Sequence, residues 1–329
     1  MVTLATKVAF LGRPGSYPES PSTVEAIETR LSWVFLTPAH AWKLKKPVRY
    51  DHLDFSELDA RRRDCEAECA LNRPLAPGVY LSVVPLTCEE DDRLAIDGVG
   101  DVVDYLVCMR RLPRLECLEE RIRSDSATPE AVERAAETLA SFYRELPVIG
   151  PVDPDAIATV MESEAGELAT LPVGPGAGVE DLRDRLRSTL KRIRATLATR
   201  ARREVHGDLR PQHVYLGDPP VFLDRLTFHR ELRLMDPLEE LAFLALDCER
   251  LGAAWVGRYF LDVHARITGD DWEPELLAFY RARRALLWAL LSARHLVRGG
   301  HQHWHRRTLA YLRLGRESLA TVNEGFSPS

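Results

Sequence analysis

The chain has 329 residues, 45% of them hydrophobic and 29% charged, which is long enough and apolar enough for two units with separate cores. Its formal net charge of −6 argues against a nucleic-acid coat or a polybasic membrane anchor, and no apolar run reaches the roughly 18 residues that a spanning helix needs. Residues 1–15 hold one lysine and a very short apolar stretch, a poor secretory signal, so the expected location is the cytoplasm.

From the N-terminus, the first third mixes strands and helices. Trp33 to Thr37 is β-branched and aromatic, Pro38-Ala39-His40 is a turn, and Ala41 to Lys46 alternates until Pro47 stops it, so the two runs form a hairpin. Ser56 to Asn72 lacks Gly and Pro and is rich in helix formers, which predicts a helix with Ser56 as N-cap and Asp59 in its first turn. Short strands are expected at Val79–Val84, Arg93–Ile96 and Val102–Met109.

After Pro113 the pattern turns helical. Thr128-Pro129 is a cap followed by proline at the first helical position, opening a helix to about Arg144. A second helix spans about Val179 to Arg202. From Pro237 to about Val322 nearly everything is helix, broken near Gly252, Gly269 and Gly299-Gly300, and the tail Gly325 to Ser329 frays. Asp236 is an N-cap. These elements predict an α+β architecture, with a small β-rich part at 1–110 and a larger helical part at 111–329.

One island interrupts the helices. Glu204 to Leu216 is a polar loop leading into a short strand, Gly217-Asp218-Pro219-Pro220 is a turn, and Val221-Phe222-Leu223 is a second short strand ending in Asp224. Apolar strands thus present two acids, Asp208 and Asp224, at loop ends, where functional groups are often found. The six cysteines form no CxxC pair; Cys65 and Cys69, four apart, lack a second ligand pair and are read as small buried side chains.

The segment His206-Gly207-Asp208, followed by an apolar strand ending in Asp224, matches the pattern of kinase-like phosphotransferases. HGDLRPQHVYL with VFLDRLTF resembles the aminoglycoside phosphotransferase group of that superfamily, in which HGD replaces HRD. Thr29 to Leu36, Ala41 to Val48, Leu53 to Ser56 and Arg61 to Glu66 resemble one bacterial branch, the aminoglycoside phosphotransferase family enzymes. The resemblance runs from about Phe10 to the last helices. It implies a protein kinase-like bilobal fold, ATP as donor with Mg²⁺ or Mn²⁺, and the hydroxyl of a small molecule as acceptor. Neither nucleic acid nor membrane is an expected partner.

Under this resemblance Asp208 orients the acceptor hydroxyl and takes its proton, and Asp224, sixteen residues later, holds the metal against the phosphates. A lysine on the sheet holds the α- and β-phosphates: Lys45 is the first choice and Lys43 the second, two residues apart on one strand face. An acid on the following helix pairs with it, Glu68 before Glu66. Cys108-Met109-Arg110-Arg111-Leu112-Pro113 resembles the hinge whose backbone holds adenine, which puts Met109 and Arg111 in the nucleotide set. Thr29 and Ser32, flanking Arg30, stand where a phosphate loop would be and offer hydroxyls.

Two departures stand out. His213 occupies the place of the metal-binding Asn, and imidazole nitrogen suits Mg²⁺ less well than an amide oxygen does; binding Mn²⁺, acting through water and contacting phosphate directly are the roles open to it. No glycine-rich phosphate loop and no GxxxxGK[ST] motif occurs. The first departure motivates a second function, a nucleotide-binding pseudokinase acting by protein contact. A third, a metal-dependent hydrolase, would use His206, Asp208, His213 and Asp224 as ligands.

Plainer roles account for other features. His206 supports its loop, Arg61-Arg62-Arg63 is a solvated helix face, and Trp288 and Trp304 are core. The cluster from His301 to Arg307 has a spacing unsuited to chelation. Asp153, Asp155, Glu162, Glu164, Asp247 and Glu249 are acids available to line the site of a cationic acceptor.

Overall fold

The computed structural model describes residues 2–50, 53–90, 92–173, 176–297 and 302–324. The Gly299-Gly300 break, His301 of the histidine cluster and the tail from Gly325 lie outside the described residues. The chain divides into two compact units, Met1–Glu116 with Gly217–Leu232, and Cys117–Leu216 with Arg233–Ser329.

The first unit holds α1 (Leu4–Leu11), β1 (Glu25–Glu28), β2 (Ser32–Leu36), β3 (His40–Lys45), a small hairpin of β4 (Arg49–Tyr50) and β5 (Leu53–Asp54), α2 (Leu58–Asn72), β6 (Tyr80–Cys88), β7 (Leu94–Ile96) and β8 (Asp101–Arg110). Among the described residues, six strands form one antiparallel sheet in the order β1-β2-β3-β8-β6-β7. The predicted hairpin is β2–β3, with Val34 opposite Lys43 and Phe35 opposite Trp42. Alternation along β3 does the sorting. Trp42 and Leu44 enter a core with Phe35, Leu106, Cys108, Leu11 and Tyr17, so Lys43 and Lys45 point to the other face.

Two details differ from expectation. Ser56 does not cap α2: Glu57 is the capping residue, without a side-chain bond, because the Ser56 amide and hydroxyl both turn back to Asp54 Oδ1, at 3.0 and 2.5 Å. Helix α1 was not foreseen. Thr3 caps it, accepting from Thr6 N at 3.1 Å, and Lys7 pins it to the sheet through Asp104, 2.7 Å away. Asp104 is fully buried and also takes Arg61 Nε at 2.8 Å, so Arg61 is an interior residue and not part of a solvated face. A buried carboxylate between two cations keeps its charge compensated. Cys65 and Cys69 are buried thiols, and burial pushes Cys65 up to about 12.

The second unit contains α3 (Leu118–Arg123), α4 (Pro129–Glu145), α5 (Pro154–Thr170), α6 (Val179–Thr199), α7 (Pro237–Arg250), α8 (Ala254–Thr268), α9 (Pro274–Val297) and α10 (Gln302–Glu324), with short strands β9 (Gly150–Pro151) and β10 (Ala201–Glu204). Helix α4 buries Val132, Ala135, Ala136, Leu139, Ala140 and Tyr143, one stripe of a 3.6-residue period. Helix α7 is buried from Pro237 through Cys248 and is the central helix of this unit. Helix α8 meets it closely at Gly257, where a Cβ would fall 2.5 Å from Ala245 Cα. Helix α6 stops at Thr199, short of the expected Arg202, because Arg200 turns extended to bind Asp236 and Asp270, and β10 begins. No helix among the described residues is long and apolar enough to cross a membrane.

Candidate active site

In the first unit, charges gather on the lysine face of β3. Lys43 Nζ lies 2.8 Å from Glu68 Oε1 and 2.6 Å from Asp224 Oδ1. Lys45 Nζ binds the other Glu68 oxygen and sits 2.6 Å from Asp64 Oδ2. Glu68, Asp64 and Lys45 are buried, so each charge depends on its neighbours. Burial works against the Lys43 ammonium, yet Asp224 and Glu68 outweigh it and hold the group above the ordinary lysine value. Burial likewise opposes the charges of Lys45 and Glu68. The Glu68 carboxylate outweighs it for Lys45, and the two lysines outweigh it for Glu68, which stays below the usual carboxylate value.

Asp224 arrives on the returning segment 217–232, which packs within this unit. Phe222 N donates to Leu75 O at 2.9 Å, Asp224 N to the Tyr80 hydroxyl at 3.0 Å, and Arg225 N to Asn72 Oδ1 at 2.8 Å. Asn72 in turn donates to Glu68 O at 2.9 Å. The end of α2 and the start of β6 thus carry Asp224 on backbone bonds. Its φ of +65° lies in the left-handed region, a strain an aspartate tolerates better than most residues. Its side chain is half exposed while Lys43 holds one oxygen.

In the second unit, Asp208 stands on a loop shaped by one buried carboxylate. Glu240, on the first turn of α7, accepts from His206 N at 2.9 Å, from Gly207 N at 2.5 Å and from the Tyr143 hydroxyl. Gly207 has φ +91°, open to glycine at little cost, which lets consecutive amides converge on one acid. Burial raises the Glu240 carboxyl above its usual value, against the pull of its three donors. Asp208 N donates to His206 Nδ1 at 3.3 Å, so fully buried His206 supports the loop. His213 stacks near His206, centroids 6.1 Å apart, and its Nδ1 donates to the Asp208 carbonyl at 2.7 Å. That bond fixes a proton on Nδ1.

The structure separates the sequence candidates. Lys43, the second choice, is the lysine that reaches Asp224; Lys45 is committed to Asp64 and Glu68. Glu68 reaches both lysines, whereas Glu66 is exposed and faces Arg62 at 3.9 Å. Ser32 is buried and the Thr29 hydroxyl is spent on the Ser32 carbonyl at 2.9 Å, so the β1–β2 turn uses the hydroxyl expected to meet phosphate. Met109 is buried in the sheet between Ala41 and Tyr80. Arg111 donates its backbone N–H to Ala39 O and its guanidinium to Thr37 O, each at 2.9 Å, so these two groups brace the β2–β3 turn. Among the described residues no group of three or more His, Cys, Asp or Glu is placed to hold a metal, which leaves the hydrolase reading without a ligand set there.

The acids available for a cationic acceptor are also engaged. Asp153 caps α5, Asp155 lies 2.5 Å from Arg194, Glu162 binds Arg187, Glu249 binds Arg281, and Asp247 lies 2.5 Å from Arg250. Burial raises the Glu164 carboxyl. A cavity of about 530 Å³ lies among α7, α8 and α9, lined by Glu249, Arg258, Asp262, Trp272 and Arg281 among others, and neither Asp208 nor His213 borders it. Sequence reasoning missed Glu240, Tyr80 and Asn72. The Asp236-Pro237 cap marks the helix that carries Glu240, but nothing local marks that acid as buried.

No family model matches the chain. The chain is 29% identical over 287 residues to uncharacterized proteins of Mycobacterium tuberculosis strain H37Rv and of Mycobacterium bovis, an alignment covering 84% of this chain and 56% of each relative. It therefore spans about half the length of the curated relatives it matches. Among solved structures, glucosamine kinase in complex with glucosamine, ADP and inorganic phosphate has a TM-score of 0.61 at 13% identity, covering 98% of this chain and 88% of that one. The GDP complex of aminoglycoside 2'-phosphotransferase-IIIa has a TM-score of 0.58 at 18% identity, covering 97% and 98%. A choline/ethanolamine kinase family protein from Mesorhizobium loti has a TM-score of 0.56 at 16% identity, covering 98% and 100%. The chain has the protein kinase-like fold, as its loop and strand motifs led us to expect.

Proposed function

We propose that the chain is an ATP-dependent phosphotransferase that moves the terminal phosphoryl group to a hydroxyl of a small molecule. The observation that carries this reading is the Lys43 ammonium held between Glu68 and Asp224. Phosphoryl transfer asks a protein mainly for positioned charge. Lys43 is such a charge: kept ionised by two acids, fixed by the sheet, and suited to meet the donor's phosphates.

Asp224 suits a hard divalent cation, being a half-exposed carboxylate anchored from its backbone by Tyr80. His213 suits one through Nε2, since its Nδ1 is committed to a backbone carbonyl, the usual support of a metal-binding imidazole. When bound, Mg²⁺ or Mn²⁺ would neutralise phosphate charge. Asp208 is the proton acceptor in this reading. The acceptor's hydroxyl oxygen bonds to the γ-phosphorus, its proton passes to the Asp208 carboxylate, and the bond to the β–γ bridging oxygen breaks to release ADP. Glu240 holds the backbone from which Asp208 acts.

The test is ADP release over a panel of small hydroxyl compounds, with Mg²⁺ and with Mn²⁺. Asp208→Asn is expected to lower turnover about 10³-fold, within the range for a lost general base. Asp224→Ala is expected to abolish it. Full turnover in both variants would contradict these roles. ATP binding without transfer under every condition would favour the pseudokinase.

A further inference from the structure

Arginines and aromatic rings gather beside the Asp208 loop, within the second unit. Arg210 follows Asp208 by two residues in extended backbone, φ −141° and ψ 158°. Its guanidinium carbon lies 4.1 Å from the centre of the Trp288 indole. Arg307, on α10, approaches the same indole at 5.6 Å, Trp304 at 5.7 Å and Tyr311 at 5.6 Å. Arg250 lies 5.6 Å from the Tyr311 ring. Two guanidiniums therefore share one indole, and two share one phenol. Trp288 and Trp304 are half-buried and serve as faces for cations, a role the sequence did not assign them.

The charges do not cancel. Among the described residues Asp247 is the carboxylate paired with these arginines; it is fully buried, its Oδ1 is taken, and its Oδ2 faces Arg210 without a hydrogen-bond partner. It accepts from Arg250 Nε at 2.5 Å and from the Tyr311 hydroxyl at 2.8 Å, and stands 3.7 Å from Arg210 Nε. Arg307 has the Tyr311 hydroxyl at 3.2 Å as its polar partner and, among the described residues, no carboxylate within 4.0 Å. Its Nε is buried without a hydrogen bond. Ring faces compensate a guanidinium only in part. Among the described residues these three cations face one carboxylate, an excess that a ligand of opposite charge would satisfy, and the guanidinium fork matches carboxylate and phosphate oxygens.

We propose that the acceptor carries an anionic group, a carboxylate or phosphate monoester, bound by Arg307 with Arg210 and Arg250 against Trp288 and Tyr311. This rests on the phosphotransferase reading above and gives its acceptor a charge. The acids available for a cationic acceptor, by contrast, are capped, paired or buried.

The probe is inorganic phosphate, titrated while tryptophan emission is followed, with saturating ADP present to occupy the nucleotide site. Wild type is expected to show a saturable change. Arg307→Gln is expected to weaken it at least tenfold, and Arg307→Lys to restore most of it. Ethanolamine, the cationic counter-probe, is expected to give no saturable change. No saturable phosphate response, an equal response in Arg307→Gln, or saturation by ethanolamine instead would overturn the proposal. Abolition by ADP would overturn it too, by assigning the arginines to the nucleotide. Failure of the phosphotransferase reading looks different: wild type would release no ADP with any acceptor, yet would keep its phosphate response.

Discussion

Lys43, Glu68 and Asp224 are held by one another, charge against charge, on a strand, a helix and a returning loop. Asp208 is held by backbone: the amides of His206 and Gly207 converge on buried Glu240, and His213 ties down the Asp208 carbonyl. The first arrangement fixes side chains and keeps them ionised, as suits phosphate and metal. The second fixes a loop and leaves the Asp208 carboxylate about a quarter exposed, as suits a group that must meet a substrate. The two centres should therefore fail differently when mutated.

The largest effect should come from Glu240→Ala. It strands the His206 and Gly207 amides and the Tyr143 hydroxyl, and at roughly 1–3 kcal/mol for each unmet buried group the loss of stability should be about 4 kcal/mol. Urea denaturation measures it, and Glu240→Gln, which keeps an acceptor oxygen, should lose less. Next are the two lysines, separable by kinetics and stability together. Lys43→Met should lower kcat/KM for ATP about 100-fold, a typical cost for losing one electrostatic donor. Lys45→Met should leave that ratio within tenfold but cost about 3 kcal/mol of stability, because Asp64 and Glu68 stay buried with less compensation. Equal kinetic losses would erase the distinction between them.

A pH effect tests the scaffold under Glu240. Arg200 grips Asp236, the cap of α7, and Asp270, with contacts of 2.6 Å to each. Burial opposes ionisation of Asp270, but hydrogen bonds from His264 and Arg200 prevail and bring its value down from 3.8 to about 2. A depressed carboxyl stabilises fully above its unfolded value and loses that contribution as pH falls through its folded one. Stability should thus drop by about 2 kcal/mol between pH 3.8 and 2, and the wild-type minus Asp270→Asn difference should shrink over that window. The smallest effect belongs to His213→Asn. Turnover with Mg²⁺ should stay within about tenfold and metal preference should shift from Mn²⁺ towards Mg²⁺, read from rates with each ion.

Much of the first centre was legible because strand alternation is local. The alternation of Ala41 to Lys46 put Lys43 and Lys45 on one strand face, and Trp42 and Leu44 are in the core opposite. Which lysine meets Asp224 was not legible, since that depends on segment 217–232 closing onto Asn72, Leu75 and Tyr80, contacts about 150 residues apart in sequence. In the second centre the HGD motif marked Asp208, but an acid on a first helical turn looks the same whether it faces solvent and the helix dipole or, like Glu240, lies buried under a loop. Ser56 misled because its hydroxyl had a nearer partner in Asp54. Helix α5 carried in Asp153-Pro154 the same cap-then-proline signal that revealed α4.

The most direct test of two centres with two roles is calorimetric titration of ATP with Mg²⁺ into wild type, Asp208→Asn and Asp224→Ala. Wild type and Asp208→Asn should bind with equal affinity, and Asp224→Ala at least tenfold more weakly. Unchanged binding in Asp224→Ala, or loss of binding in Asp208→Asn, would contradict the account.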